Sequence, residues 1–418
     1  MIGCKRLLNF FFLVVFLFLY ATGYSSLNGK ILYIALLSVS ALLVYRTYIA
    51  RNISLFVVFV YMSTYIFVLY YVFFCKDIQV SYYMDFNTPP DFYRSSLAHF
   101  FFLIIINSTI KIVNAKEVCY LHVCDKPVIF LFGVIGCIIA IVFGKSGDVG
   151  FLSEGGYSPD FVRSPLFEYF FIFFLLAYFS RGKTPIKKYI LYVIVLTYVF
   201  KNTIYGGRIE TLMCFLCLLV IEFQFRIKFK YLLALLFVGY ISSYLLSIMR
   251  STGLSLDVIS NIDIQNVDII ITQESDVNYS SARILALVEK GVITVSDRLM
   301  SLLYLIISIF VSKDNLPPLA DLSLYMQSEY SCGGGGFISS FFYVFASYLG
   351  VALIALFISY ILSIGLRNPT LNFKNIFFIL VITTLPRWFA YYPISLFKLA
   401  LIGGVFIVVF LRIKKLKS

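Results

Sequence analysis

The chain has 418 residues, of which 61% are hydrophobic and only 13% are charged. Soluble globular chains are about 45–50% apolar and about 25% charged, so this composition excludes an ordinary soluble protein. The net charge of +13 is not arranged as a basic stripe and does not indicate nucleic-acid binding. We therefore expect an all-α, polytopic integral membrane protein.

Apolar runs of about 20 residues, the length needed to cross a bilayer, recur along the whole chain. Basic residues cluster in every second connecting segment, and such clusters normally lie on the cytoplasmic side. Both termini are therefore predicted to be cytoplasmic. We predict one membrane domain, 1–418, with about twelve transmembrane helices: 7–23, 31–45, 53–74, 97–113, 127–143, 165–180, 189–205, 209–225, 229–249, 337–363, 375–391 and 394–411.

One of the predicted outer loops, 250–336, is long, and a smaller second one, 144–164, also has a distinct composition. Residues 144–164 are rich in glycine, serine and charge, and residues 250–336 hold most of the acids on the outer side. Within the larger loop, Leu299–Val311 is apolar but short for a span. It is predicted to be a re-entrant or interfacial helix at the outer surface.

The outer side carries cations, although cations near membrane-span ends normally face the cytoplasm. Several lie beside helix breaks: Arg208 follows a Gly-Gly pair, and Arg387 follows a proline. Guanidinium groups match diphosphate oxygens in bidentate fashion and keep their charge. Snorkelling to lipid headgroups or pairing with outer acids is the alternative, but several such arginines on one side favour an anionic substrate. The predicted binding cations are Arg163, Lys201, Arg208, Arg250 and Arg387.

Four consecutive glycines precede the long apolar run 337–363: Gly333, Gly334, Gly335 and Gly336. A glycine-rich segment that leads into a helix can present backbone N–H groups to an anion. A plain hinge is the alternative. We predict that these glycines belong to the same substrate site as the cations.

Three titratable residues are candidates for a catalytic base, in the order Glu329, Glu168 and His99. Glu329 is the acid nearest to the glycines in sequence, and Glu168 lies in the first turns of the sixth predicted span. His99 lies near the outer end of the fourth and titrates near neutral pH. An ion pair for Glu168 and an interfacial position for His99 are the alternatives. No residue cluster has metal-ligand spacing, so no metal or other cofactor is expected.

The order of these features resembles the O-antigen polymerase family, the Wzy proteins. The similarity covers nearly the whole chain through its twelve predicted spans and long outer loops. The motifs that carry it are Tyr205-Gly-Gly-Arg208-Ile-Glu, Met249-Arg250, and Gly333-Gly-Gly-Gly-Phe337-Ile-Ser-Ser-Phe-Phe-Tyr343 followed by Tyr348-Leu-Gly350. A related capsule or exopolysaccharide polymerase also fits these motifs.

The resemblance implies a metal-independent glycosyltransferase in the bacterial inner membrane, with its active site facing the periplasm. The implied donor is a growing glycan on undecaprenyl diphosphate. The implied acceptor is the non-reducing-end sugar hydroxyl of a repeat unit carried on a second undecaprenyl diphosphate. A chain-length regulator is an implied protein partner, besides membrane lipid.

Two other functions remain open. An O-antigen ligase performs the same reaction with lipid A core as acceptor, and such enzymes use periplasmic arginines and a periplasmic histidine. The position of His99 at a span end, outside the large loop, argues against a ligase. A lipid-linked oligosaccharide flippase or transporter should carry charges at the bilayer midplane and internal repeats. Here the unusual cations collect at one face, and no repeat is visible.

Overall fold

The structure is a computed structural model that describes residues 2–75, 80, 88–144, 164, 166–204, 207–225, 227–252, 272–311, 315–330 and 332–412, without the side chains of 2–5, 225 and 243–252. Within these ranges the chain is helical and forms no β-strand, apart from one isolated bridge between Asp125 and Arg181. The predicted all-α class is confirmed.

The described residues form the following α-helices, given in chain order. They are α1 (Ile2–Thr22), α2 (Ser26–Ile49), α3 (Ile53–Thr64), α4 (Val68–Phe74), α5 (Pro89–Thr109), α6 (Pro127–Phe143), α7 (Leu166–Ser180), α8 (Pro185–Ile204), α9 (Arg208–Ile221), α10 (Phe229–Thr252), α11 (Gln273–Glu289), α12 (Val295–Ile307), α13 (Leu322–Glu329), α14 (Ile338–Ile364), α15 (Phe373–Thr383), α16 (Leu385–Ala390) and α17 (Gly403–Arg412). A π-helical segment, Leu396–Ile402, precedes α17.

Three helical stretches of the described chain are long and apolar enough to cross a membrane, by length and composition: α2, α3 together with α4, and α14. Shorter apolar helices accompany them, among them α6, α7 and α15. These helices support a membrane protein, because a helix satisfies its backbone hydrogen bonds internally in lipid. The count of twelve spans stays a prediction.

The chain divides into two compact units. The single membrane domain, 1–418, stays a prediction. The first unit comprises Met1–Lys116, Gln265–Gly365 and Arg387–Phe397. The second unit comprises Glu117–Ile264, Leu366–Pro386 and Lys398–Ser418.

In the first unit, α5 is the central helix. It packs against α1, α2, α11 and α14, and its buried side chains include Phe92, Tyr93 and Phe100. Large aromatic side chains bury much apolar area and account for much of the stability of such a core. Because α5 contacts α11 and α14, it positions the residues on either side of the four glycines.

The predicted short apolar helix of the large loop is present as α12. A capping box between Thr294 and Asp297 begins the helix, because each side chain satisfies a backbone N–H of the first turn. Several of its apolar side chains are exposed, including Leu299 and Leu303, while Ser301 and Leu305 are buried. An exposed apolar face fits the predicted interfacial helix, whose membrane position stays a prediction.

A kink divides α14 at Ala346 and Ser347, and Ser347 has a positive φ of 52°. Arg298 of α12 lies against this kink. Its Nε donates to the carbonyl of Val344 at 2.6 Å, and its Nη2 donates to Ser347 Oγ at 2.7 Å. A kink releases carbonyl groups from the helix ladder, and the guanidinium donates to two of them, those of Tyr343 and Val344. Arg298 therefore stabilises the kink.

In the second unit, α6 and α7 pack closely, and α9 packs against α8 and α15. Glycines permit the close approach of α6 to α7: a Cβ added at Gly133 would lie 2.8 Å from the backbone nitrogen of Ala177. Small residues at such crossings are typical of helix pairs in membranes.

Candidate functional site

The last two of the four glycines are packed tightly within the first unit. Gly335 and Gly336 are buried with φ of 113° and 147°, values that side-chain-bearing residues rarely adopt. The N–H of Gly335 donates to Ser323 Oγ at 2.9 Å, and that of Gly336 donates to the carbonyl of Ala390 at 3.1 Å. The next N–H, of Phe337, donates to Ser281 Oγ at 2.7 Å. These donors are engaged within the protein, so the backbone cradle expected for an anion is not formed by them.

What the glycines provide instead is close approach to α16. A Cβ added at Gly335 would lie 2.9 Å from the carbonyl oxygen of Ala390 and 3.4 Å from Cα of Tyr391. Arg387 lies one turn before these residues. The structure thus brings two predicted features together, the glycine segment and the segment that holds Arg387.

Arg387 is the most closely enclosed of the predicted cations whose side chains the structure describes. It is only 7% exposed, and its Cζ lies 5.6 Å from the ring centroid of Tyr391. A cation held against an aromatic face in a partly desolvated setting interacts strongly with anions. This position is compatible with the prediction that Arg387 binds an anionic substrate.

The acid beside the glycines is Asp276 of α11. A Cβ added at Gly333 would lie 3.7 Å from Cγ of Asp276, and Asp276 supplies the atoms nearest to that position. Glu329, the nearest acid in sequence, is the exposed last residue of α13. The neighbouring thiol does not offer a thiolate, because burial raises the pKa of Cys332 to about 11. Asp276 is thus a site candidate that sequence proximity alone did not indicate.

His99 lies in α5, within a cluster of aromatic rings formed by Phe102, Phe337 and Phe389. Phe337 is the residue that follows the glycine segment. His99 is 2% exposed, and its ring stacks on Phe337 with centroids 4.7 Å apart. Its Nδ1 is 3.5 Å from Ser339 Oγ, and its Nε2 has no hydrogen-bond partner among the described residues. His99 is therefore buried, beside the residue that follows the glycine segment, and the interfacial alternative does not describe it.

The remaining described candidates belong to the second unit. Lys201 donates to the carbonyls of Ile141 and Gly144, the latter at 2.7 Å, and so caps the C-terminal end of α6. Arg208 begins α9 and Glu168 lies in the first turn of α7, and both are half-buried. Arg163, Gly206 and the side chain of Arg250 lie outside the described residues, as does most of the loop 144–164.

A buried ion pair joins α5 to α11 in the first unit and was not among the predicted site residues. Arg283 Nη1 lies 3.2 Å from Asp91 Oδ2, and both side chains are less than a tenth exposed. Arg283 Nη2 also donates to Thr88 Oγ1 at 3.3 Å. The sequence offers a partial signal, because Asp91 follows two prolines, but Arg283 adjoins no glycine or proline and resembles an ordinary loop cation.

Comparison of this chain with known proteins finds no matching family model, no matching curated protein and no matching solved structure.

Proposed function

We propose that this protein polymerises lipid-linked glycan repeat units in the bacterial inner membrane. In this proposal the chain spans the membrane about twelve times, both termini are cytoplasmic, and 250–336 lies in the periplasm. The growing glycan is transferred from one undecaprenyl diphosphate to the non-reducing-end hydroxyl of a repeat unit on another. A bond from the anomeric carbon to the acceptor oxygen forms, the bond to diphosphate breaks, and the hydroxyl proton passes to a base.

The observation that carries this proposal is the contact of one glycine segment with both a cationic and an acidic element. Gly335 packs against Ala390 and Tyr391, and the N–H of Gly336 donates to the carbonyl of Ala390, one turn after the buried Arg387. Gly333, at the other end of the segment, packs against Asp276. A cation beside the buried end of this segment and a carboxylate beside its exposed end are the two kinds of group that the reaction requires.

Arg387 would stabilise the diphosphate as the glycosidic bond breaks, since negative charge grows on its oxygens at that step. Preorganised cations are most effective where water is excluded, and Arg387 is buried. The donor is already activated by its diphosphate, so the reaction needs no nucleotide. Arg163, Arg208 and Arg250 stay proposed diphosphate-binding cations, as the sequence predicts.

Asp276 would accept the proton of the acceptor hydroxyl. A general base must lie within hydrogen-bond reach of that proton, and the half-buried Asp276 adjoins the exposed glycines at which a sugar can approach. We place Asp276 ahead of the exposed Glu329 for this role. Glu168 and His99 remain candidates of the same kind, His99 because its Nε2 has an unused proton-accepting position in one tautomer.

Arg387→Ala should abolish long glycan chains while the protein still inserts. Loss of one preorganised charge-stabilising donor lowers the turnover rate by about 10²–10³-fold. The measurement is the ladder of lipopolysaccharide chain lengths in a deletion strain that expresses the variant, with protein level measured by immunoblot. A single capped repeat should remain, since ligation and export need no polymerisation. Arg387→Lys should be only partly active because it lacks the bidentate fork.

Arg94→Ala is the matched control for this experiment. Arg94 is half-exposed and pairs with Glu289 at 3.6 Å, so its loss should leave the ladder unchanged. A normal ladder from Arg387→Ala would contradict the proposed site. Loss of every repeat in the deletion strain itself would instead indicate a ligase or a flippase.

Asp276→Asn should lower polymerisation by about 10²–10⁴-fold, the usual contribution of a general base. Glu329→Gln is the matching carboxylate-to-amide change at the other acid, and it should leave polymerisation unchanged because Glu329 is exposed. The measurement is incorporation of radiolabelled repeat units by membranes at several pH values. The reverse result, with Glu329→Gln inactive and Asp276→Asn active, would return the role to Glu329.

A further inference from the structure

A cavity of about 170 Å³ lies in the second unit, and none of the site residues discussed above is among those that line it. Its walls come from the ends of α7, α8 and α9, from the segment around Cys119, and from Leu366. A single water needs only about 10–15 Å³ of such space. The cavity is therefore large enough for a small group of several heavy atoms.

One carboxylate and two cations line this cavity. Glu222 is 3% exposed and lies 2.6 Å from Lys188 Nζ and 3.7 Å from Arg181 Nη2. The hydroxyl of Tyr178 donates to the same carboxylate at 2.5 Å. The carboxylate is thus already surrounded by donors and by positive charge.

The charges of the cavity do not balance. Arg181 and Lys188 together exceed Glu222 by one positive charge, and the adjacent Lys187 pairs with Asp125 instead, at 3.1 Å. Arg181 is 11% exposed, and its Nε is buried without a hydrogen-bond partner among the described residues. A buried charged donor without an acceptor is costly, so an anion in the cavity would satisfy both the charge and the donor.

We propose that this cavity binds a phosphate-class anion, held by Arg181 and Lys188. Guanidinium and ammonium groups together are a common pairing for phosphate, one by its fork and the other as a point charge. The opposite wall is apolar, with Leu121, Ile221 and Ile379, and a low local dielectric strengthens the attraction. The anion comes either from inorganic phosphate or from a lipid headgroup. This site is independent of the glycosyl transfer proposed above.

Cys119 provides a reporter, because it lines the cavity, forms no disulfide and is half-buried. The full-length protein, delipidated in dodecyl maltoside, is treated with N-ethylmaleimide, and labelling of each cysteine is followed by peptide mass spectrometry. Inorganic phosphate is titrated in one arm, and phosphatidylglycerol in mixed micelles in the other. An occupied cavity should slow labelling of Cys119 severalfold. Cys124, on the same segment but outside the cavity lining, should label at an unchanged rate.

Variants test whether the protection of Cys119 depends on Arg181 and Lys188. Arg181→Gln and Lys188→Gln should each raise the half-protecting concentration by about tenfold or more, since each removes a charge-assisted hydrogen bond. Lys187→Gln is the matched control and should retain protection. If Arg181→Gln does not fold, Lys188→Gln, which alters a more exposed side chain, decides alone.

Protection by inorganic phosphate would identify a soluble anion as the ligand, and protection by phosphatidylglycerol alone would identify a lipid headgroup. Either result supports the site. Protection by neither would overturn it, as would protection that persists equally in Arg181→Gln and Lys188→Gln.

Discussion

Arg283→Met is expected to lower the free energy of unfolding by about 3–5 kcal/mol, the usual cost of removing one partner from a buried ion pair. The substitution leaves Asp91 buried in α5 and facing Lys290, whose Nζ is 3.9 Å away. A buried carboxylate that loses its guanidinium partner is strongly unfavourable. The loss of unfolding free energy is measured by chemical unfolding in detergent micelles, with the reactivity of the buried thiols as the signal.

Arg94→Met is the control for this substitution. Arg94 lies on the same helix as Asp91, but its pair with Glu289 is half-exposed, and such pairs contribute about 0–1 kcal/mol. The double variant Arg283→Met with Asp91→Asn should recover part of the stability, because it removes both charges together. Equal, small losses in Arg283→Met and Arg94→Met would show that the buried pair is not a major stabilising contact.

The helices themselves were largely predictable, because the bilayer imposes a simple pattern on the sequence. The predicted span 127–143 coincides with α6, and the span 337–363 differs from α14 by one residue at each end. The span 53–74 is interrupted between α3 and α4, at Tyr65. Asn278 of α11 donates to the carbonyl that this break releases, at 2.8 Å, and a partner so distant in sequence leaves no local signal.

The kink in α14 could not be predicted for a similar reason. Neither Ala346 nor Ser347 is a usual helix breaker, and the compensating donor is Arg298, on another helix. Arg298 therefore looked like one of several outer cations in the sequence, whereas its guanidinium is engaged by α14. Composition identifies an excess of cations, but only tertiary contacts separate those that stabilise the fold from those that face a ligand.

The candidate site was predicted in part. The pattern of Gly or Pro next to a cation selected Gly335, Gly336 and Arg387, which lie together in the first unit, and their role as a site stays a prediction. Sequence proximity selected Glu329, while Asp276 contacts Gly333 from a helix almost sixty residues away in sequence. Lys201 was selected by its position beside a helix break, and its ammonium caps α6.

Gly335→Ala should destabilise the first unit and disturb Arg387 at the same time. The φ of 113° disfavours any side chain, at a cost of about 1–3 kcal/mol. The new Cβ would also lie 2.9 Å from the carbonyl oxygen of Ala390. That oxygen belongs to the backbone, so α16 must move, and Arg387 moves with it. We expect a lower melting temperature in detergent and a shortened glycan ladder from the same variant.

Gly333→Ala separates this packing effect from a general need for flexibility in the glycine segment. Gly333 is exposed, and its added Cβ would meet only Asp276, at an ordinary contact distance of 3.7 Å. Both substitutions restrict the unfolded chain equally, so a hinge would be stiffened by either one. A segment that acts by close packing is sensitive at Gly335 and tolerant at Gly333. Equal loss of melting temperature in the two variants would favour the hinge, and an unchanged melting temperature in Gly335→Ala would contradict the close approach to α16.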